Sequence, residues 1–372
     1  MPEPIPIFLP RSKSIVIRCL IVHYLRTGKL LPVFEHDPND IKVVYKILQT
    51  IDSHRKTSTK KKSLIDVEDC GAAYRFFMAI LATIPGKWML VGTPGLLRRP
   101  ILPLVKFLQK HGANIEKVEQ GWYITGKELQ FDDFEIDTKD TSQYLSALML
   151  AQQRECGAFF RNPYLNMTKS ILERPNIDAS FALKLADWSA AVFWIANALL
   201  IQNARYLLKD LHFDCLQGDA EIVKWFAKFG ILLNENKQGI EVKHLQQIDI
   251  NKQHIDFTNT PDIAILMATL AVCYPFELTM TGLENLNLKE SNRLDIMIEE
   301  LKKITSVKKH SEESITIYKR IGELPKKYCF DSYNDHRFVM AWSLFKNFGN
   351  VDITNTDCIK KSYPGFVYDK LL

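Results

Sequence analysis

Apolar and polar positions along this chain follow one repeating order, clearest between Thr260 and Lys303. Thr260-Pro261-Asp262 predicts a helix start: a hydroxyl cap, a proline in the first turn, and an acid beside the positive helix end. Ile263 to Cys273 is apolar almost all round, so that helix should be buried. Phe276 to Thr281 alternates as a half-buried strand does, and Gly282 ends it. A polar loop from Asn285 then leads into a second helix, with Leu294, Met297, Ile298 and Leu301 on one face. The same order recurs from Asp69, with a helix to Thr83, a strand over Trp88 to Val91, the loop Arg98-Arg99-Pro100 and a helix over Leu102 to His111. Further openings stand at Asp140-Thr141-Ser142-Gln143, Asp187-Trp188-Ser189 and Asp335-His336-Arg337, and Arg18 lies on the first helix of the chain. The pattern predicts about six α/β units from an internal repeat, arranged as two similar halves of three. Two stretches break it. Ser53 to Ser63 is basic and without periodicity and reads as an exposed loop, and Lys169 to Lys184 reads as a shortened unit.

Composition narrows the class. A chain of 372 residues can bury a large core in two domains. Its 47% apolar and 24% charged residues fit a soluble enzyme. A formal charge of +5 suits anionic small molecules, and no aromatics interleave the lysine runs as a nucleic-acid groove would require. The seven cysteines are scattered and never form a Cys-x-x-Cys pair, which points to reduced thiols and a reducing compartment. No signal peptide or membrane span is visible, so a cytoplasmic protein is expected.

The candidate chemistry gathers at loop-to-helix junctions, where backbone N–H groups point outward and favour anions. Ser12-Lys13-Ser14 precedes the helix of Arg18. Thr141-Ser142-Gln143 heads another helix, Lys289-Glu290 and Arg293 a third, and Asn334-Asp335-His336-Arg337 a fourth. Any single Ser or Thr at such a place is usually only a cap. As a set, these basic and hydroxyl groups suit phosphates and carboxylates, with proton transfer beside them.

Taken in order, Pro10-Arg11-Ser12-Lys13-Ser14-Ile15-Val16-Ile17-Arg18, Gly71 through Arg75, Arg99-Pro100, Thr141-Ser142-Gln143, Pro163-Tyr164, Asp187-Trp188-Ser189-Ala190-Ala191, Leu216-Gln217-Gly218-Asp219, Thr260-Pro261-Asp262, Lys289-Glu290-Ser291-Asn292-Arg293, Tyr333-Asn334-Asp335-His336-Arg337 and Lys361-Ser362-Tyr363-Pro364 resemble the 5-enolpyruvylshikimate-3-phosphate synthase family over nearly the whole chain. The resemblance implies an α/β fold of the inside-out barrel type, with βαβαββ-type units in two domains that close on substrate. The domains expected are residues 13–215, on the shikimate 3-phosphate side, and residues 1–12 with 216–372. The implied reaction moves the carboxyvinyl group of phosphoenolpyruvate to the 5-hydroxyl of shikimate 3-phosphate and releases phosphate, as part of chorismate and aromatic amino acid biosynthesis. By resemblance Asp262 is the base, and Lys13 and Glu290 share the remaining proton transfers. Lys13, Ser14, Arg18, Thr141, Ser142, Gln143, Tyr164, Asp262, Asn285 and Lys289 would hold shikimate 3-phosphate. Lys13, Gly71, Arg99, Gln143, Arg293, His336, Arg337 and Lys361 would hold phosphoenolpyruvate. No metal or other cofactor is called for, because basic side chains supply the positive charge; neither nucleic acid nor membrane is an expected partner, and a monomer is expected.

The sequence departs from the family pattern at Arg11, Ile17, Asp69, Arg161 and Asn292. Asp69 should repel an anion unless Arg75 or another cation neutralises it. Arg161 is expected to reach the shikimate phosphate rather than swing outward, because the shortened unit leaves space and pairing with a phosphate is strong. Two alternatives follow. One is a substrate-binding paralogue with weakened turnover. The other is the related UDP-N-acetylglucosamine enolpyruvyl transferase, which would carry asparagine after the N-terminal lysine and a reactive loop cysteine. Here Ser14 follows Lys13, and no cysteine lies between Gly92 and Arg99.

Overall fold

The computed structural model describes residues 3–57, 62–131, 133–157, 160–178, 181, 185–213, 216–246 and 248–366. The chain divides into two compact units, Lys13–Leu183 and the combination of Met1–Ser12 with Lys184–Leu372.

Three helices that are apolar all round set the cores. Ala264–Cys273 has every residue buried, and Trp188–Leu200 and Gly71–Thr83 are buried along nearly their whole lengths. Each lies between two parallel strands of a four-stranded sheet. In the Lys13–Leu183 unit, Ser63–Asp66 pairs parallel with Gly86–Val91, and the hairpin Asn114–Val118 and Gly121–Gly126 extends the sheet antiparallel. In the other unit, Lys252–Asp256 and Glu277–Thr281 are parallel, and Val307–Ser311 and Ser314–Ile317 form the added hairpin. The third sheet repeats this order with Ile5–Phe8 parallel to Arg205–Lys209, followed by Ile231–Asn236 and Gly239–His244. A fourth sheet is reduced to the parallel pair Lys327–Asp331 and Asn350–Thr354. In every four-stranded sheet, the strand that follows the buried helix lies second and the last strand third. A βαβαββ unit produces this order, since two parallel strands need a helical crossover and the hairpin does not. Among the described residues three units carry the full sheet.

Three expectations are corrected. The second domain boundary falls at 183/184 rather than 215/216. The helix Trp188–Leu200 packs on the sheet that Arg205–Lys209 forms with the N-terminal strand, so both belong with Met1–Ser12. Cys215, at the expected boundary, lies outside the described residues. The proposed loop over Ser53 to Ser63 is, through Thr57, the last turn of the Asn39–Thr57 helix, and Ser63 opens a strand. Burial of Ile47, Leu48, Ile51 and His54 carries the helix that far, and its basic last turn suits the negative helix end. Finally, Thr260 does not cap. Its side chain makes no bond to the short Pro261–Ile263 turn that precedes the buried helix.

Candidate active site

In the Lys13–Leu183 unit the sequence places cations inside apolar helices, and each must find acceptors there. Arg18 is 3% exposed on the helix Lys13–Thr27. Its Nε donates to Thr168 Oγ1 at 2.7 Å and its Nη1 to the Ser14 carbonyl at 2.7 Å, while the guanidinium lies 5.0 Å from the Phe76 ring centre. Thr168 in turn donates to the Tyr164 carbonyl and meets Ser146 Oγ at 2.9 Å. One buried chain of hydrogen bonds therefore ties three helices, carrying Arg18, Ser146 and Tyr164. Burial pulls the Arg18 guanidinium down to about 10, so it stays cationic at neutral pH. Lys13 begins the same helix and pairs with Asp40 at 3.0 Å.

Gly71 lets two guanidinium groups approach the backbone closely. A Cβ there would stand 2.9 Å from Arg99 Nη1 and 3.1 Å from Arg75 Nη1. Arg75 cannot retreat, since it donates to Gln143 Oε1 at 2.9 Å and to the carbonyls of Gly71 and Pro100. Burial first, and the charge of Arg99 next, lower Arg75 to about 10. Gln143 opens its helix, and its N–H donates to Thr141 Oγ1 at 3.2 Å. Ser142 makes no capping bond, and Tyr164 is half-buried. Asp69 is exposed, and so is Arg161.

In the other unit the cations are matched by acids. Arg293 is 1% exposed and is the first residue of the helix Arg293–Lys302. That helix takes its cap from a distance, with Asn287 Oδ1 accepting the Leu294 N–H at 2.9 Å. The Arg293 fork grips Asp335 through Nε (2.8 Å) and Nη2 (3.2 Å), Glu290 through Nη2 (2.8 Å) and Asp262 through Nη1 (3.0 Å). Asp262 also meets Arg337 at 3.2 Å and Lys289 at 3.5 Å. Burial pushes the Asp262 carboxyl up, but the charges of Lys289, Arg337 and Arg293 outweigh it and hold the group well below the usual carboxylate range. Burial opposes the charge on Arg293, while Asp335, Glu290 and Asp262 more than restore it.

Asp335 does three things. It holds Arg293, accepts the Ser291 hydroxyl at 3.0 Å, and caps the helix His336–Ser343 through the Arg337 N–H at 3.0 Å. His336 and Arg337, both buried, are thereby set at a helix start. Tyr333 and Asn334 just before them have φ of +53° and +55°. Left-handed backbone costs side-chain-bearing residues roughly 1–3 kcal/mol each, so surrounding bonds must hold it. The Tyr333 N–H donates to Asp331 Oδ1 and the Asn334 N–H to Ser332 Oγ. Asn285 is half-buried four residues before Lys289, and Lys361 is buried at the end of the Thr356–Lys361 turn.

Several working residues carried no assigned role in the sequence. Asp335, Arg75 and Asp40 each bond directly to an expected site residue. Arg75 had a visible signal, a lone charge in an otherwise apolar helix. A fourth is Asp219, 3% exposed, which accepts the Ser189 hydroxyl. Beside it, Asp187 caps Trp188–Leu200 and accepts Gln217 Nε2 at 2.7 Å. Burial, then the charge of Asp262, raises Asp219 to about 7.

Comparison with known proteins fits this chemistry. A 3-phosphoshikimate 1-carboxyvinyltransferase of Bacteroides fragilis is 29% identical, the match covering 96% of this chain and 92% of that protein. The protein of the same name from Buchnera aphidicola subsp. Cinara cedri is 27% identical over 96% and 92% of the two chains. The solved EPSP synthase of Acinetobacter baumannii shares the fold, with a TM-score of 0.66, 18% identity, and coverage of 96% and 93%. The family described as EPSP synthase (3-phosphoshikimate 1-carboxyvinyltransferase) matches residues 40–181 and 183–371, nearly the whole sequence, and the chain belongs to that family.

Proposed function

We propose that the acid-ringed arginines of the Lys184–Leu372 segment and the arginines of Lys13–Leu183, bonded to uncharged acceptors, serve the reaction of the family, carboxyvinyl transfer from phosphoenolpyruvate to the 5-hydroxyl of shikimate 3-phosphate. The observation that carries this reading is Asp262, a carboxylate bonded to Arg293 and Arg337 with Lys289 beside it. The reaction needs a base for the hydroxyl, an acid for the vinyl methylene carbon, and cations for two phosphates and two carboxylates.

Alone, Asp262 is too acidic to be an effective base, because a general base works best with a pKa near the working pH. Its three cations are also the groups an anionic substrate would engage. When phosphate or carboxylate oxygens draw on Lys289, Arg293 and Arg337, their hold on Asp262 weakens and its pKa rises toward the working range. The base is thus strengthened only when substrate is bound. Asp262 takes the 5-hydroxyl proton as oxygen attacks the carbon bearing the phosphate. Lys13 or Glu290 delivers a proton to the methylene. The resulting tetrahedral species collapses as a methyl proton is removed and phosphate leaves. Cations already in place stabilise the charge the leaving phosphate gathers.

Arg18, with Ser14, Thr141, Ser142, Gln143, Tyr164, Asn285 and Lys289, is assigned to shikimate 3-phosphate. Arg99 beside Gly71, with Arg293, His336, Arg337 and Lys361, is assigned to phosphoenolpyruvate, and Lys13 and Gln143 to both. The proposed scaffold is the inside-out barrel of about six units, three of which keep four strands among the described residues. The expected setting is a cytoplasmic monomer; among the described residues no helix is long and apolar enough to cross a membrane.

Phosphate release on mixing protein, phosphoenolpyruvate and shikimate 3-phosphate tests the reading. Release with UDP-N-acetylglucosamine instead selects the related transferase, and release with neither selects a binding protein. Asp262→Asn keeps shape and removes the base, so turnover should fall by roughly 10²–10⁴ with shikimate 3-phosphate affinity little changed. Loss of that affinity in calorimetry would show that Asp262 binds rather than catalyses.

A further inference from the structure

The strained turn at Tyr333-Asn334 is fastened at a second point, away from the charged residues. Tyr333 Oη donates to Glu300 Oε1 at 2.7 Å, and Lys303 Nζ holds the other oxygen of Glu300 at 2.7 Å. Glu300 is 4% exposed at its side chain and lies on Arg293–Lys302, the helix that Arg293 opens. Positions 293 and 300 are seven residues apart, two helical turns, and so fall on one face. The segment from Tyr333 to Asp335 is therefore bonded to that face twice. Asp335 grips Arg293 at the first turn, and Tyr333 grips Glu300 near the last. The Tyr333 ring also meets Phe338 edge-on at 6.1 Å, on the helix that His336 and Arg337 begin. The bond to Glu300 pushes the Tyr333 hydroxyl up to about 12, so it remains a donor throughout the neutral range.

We propose that Tyr333 is a positioning residue: its hydroxyl bond to Glu300 holds the left-handed turn in register with the Arg293–Lys302 helix and so sets where Arg337 and His336 point. The Asp335 grip fixes the segment to the first turn of that helix, and Arg337 follows Asp335 by two residues. The second bond fixes it to the last turn as well. The proposal rests on the reading of Arg337 and His336 as phosphoenolpyruvate ligands, and its test separates the two ideas.

Tyr333→Phe removes only the hydroxyl. It should raise the KM for phosphoenolpyruvate by up to about tenfold, the limit if the whole energy of that hydrogen bond goes into positioning the ligands, with kcat and the KM for shikimate 3-phosphate within about twofold of wild type. Glu300→Ala should match it, and the double variant should be no worse than either single one, because both break the same bond. Glu300→Gln keeps an acceptor and should restore near-normal KM. Amide exchange at Arg337 and Phe338, whose N–H groups bond to Asp335, should quicken in Tyr333→Phe and not in Glu300→Gln. An unchanged KM for phosphoenolpyruvate overturns the proposal, as does an equal rise for both substrates with a fall in Tm, which would mark a general structural role. If the wild-type protein releases no phosphate, the assigned reaction fails and exchange alone decides. Unchanged exchange then overturns the positioning role too, and faster exchange keeps it.

Discussion

Arg18 and Arg293 are both buried guanidinium groups near helix starts, yet their surroundings are opposite. Arg18 bonds to a threonine hydroxyl and a backbone carbonyl, and among the described residues neither it, Arg75 nor Arg99 forms an ion pair. Arg293 bonds to three carboxylates. A buried cation without an anion is costly to keep, which is why the proposed function assigns Arg18 to an anionic substrate. A cation balanced by acids gains less from a new anion, but its partners change character when the balance shifts. The difference separates a guanidinium held by uncharged acceptors from one held by carboxylates.

The sharpest way to break this contrast is to remove each guanidinium in turn. Arg293→Met strands Asp335, Glu290 and Asp262 together, and should cost roughly 3–5 kcal/mol of stability, the usual loss when one member of a buried ionic network is deleted. Arg18→Met leaves only a hydroxyl and a carbonyl behind. It should change stability by less than about 1 kcal/mol while weakening shikimate 3-phosphate binding by roughly 1.5–3 kcal/mol. Urea unfolding of both variants, with calorimetry on the second, decides the matter. Equal destabilisation would erase the distinction.

Asp219 offers a smaller effect on the acid-rich side. Its carboxyl is raised from an ordinary 3.8 to about 7, so between those values the folded state binds more protons than the unfolded one. Stability from this group is complete below the lower value and is lost as pH climbs through the upper one. Asp219→Asn keeps an acceptor for Ser189 and cannot ionise. Its stability relative to wild type should therefore rise between about pH 4 and 7 by roughly 2–4 kcal/mol and then level off. Parallel stability curves would mean that Asp219 is ionised throughout.

The smallest effect belongs to Arg161. Its side chain is exposed, which fits the outward placement rather than the expected reach to the shikimate phosphate. Arg161→Ser should alter shikimate 3-phosphate affinity by less than about 0.5 kcal/mol at low and moderate salt alike. A loss of tenfold or more would bring Arg161 into the anion-binding set.

Much of this was legible in the sequence because the signals were local. The buried helices Gly71–Thr83 and Ala264–Cys273 follow from unbroken apolar runs, and Asp187 and Asp335 cap helices where an acid precedes an apolar stretch. The electrostatic partners were not legible. Arg293 and Asp335 are 42 positions apart, Lys13 and Asp40 27, and Arg75 and Gln143 68, and no periodicity links such pairs. The Thr260 cap failed because the turn it begins is a short tight one rather than the helix itself. The second boundary was misplaced for a related reason. Which unit owns Trp188–Leu200 depends partly on a strand near the N-terminus, which pairs with the strand that follows the helix.

That strand also constrains synthesis. Ile5–Phe8 is made well before its partner Arg205–Lys209, which cannot appear until the whole of Lys13–Leu183 has been made. The intervening unit owns a complete sheet and can close on its own schedule, whereas the opening strand must wait. Even in the finished protein Phe8 is 74% exposed and Ile5 51%, at the edge of their sheet. An unpaired apolar edge is a template for wrong partners. The nascent chain thus carries an association-prone strand through the synthesis of the whole intervening unit, and the sheet it edges is safe only once Arg205–Lys209 has been made.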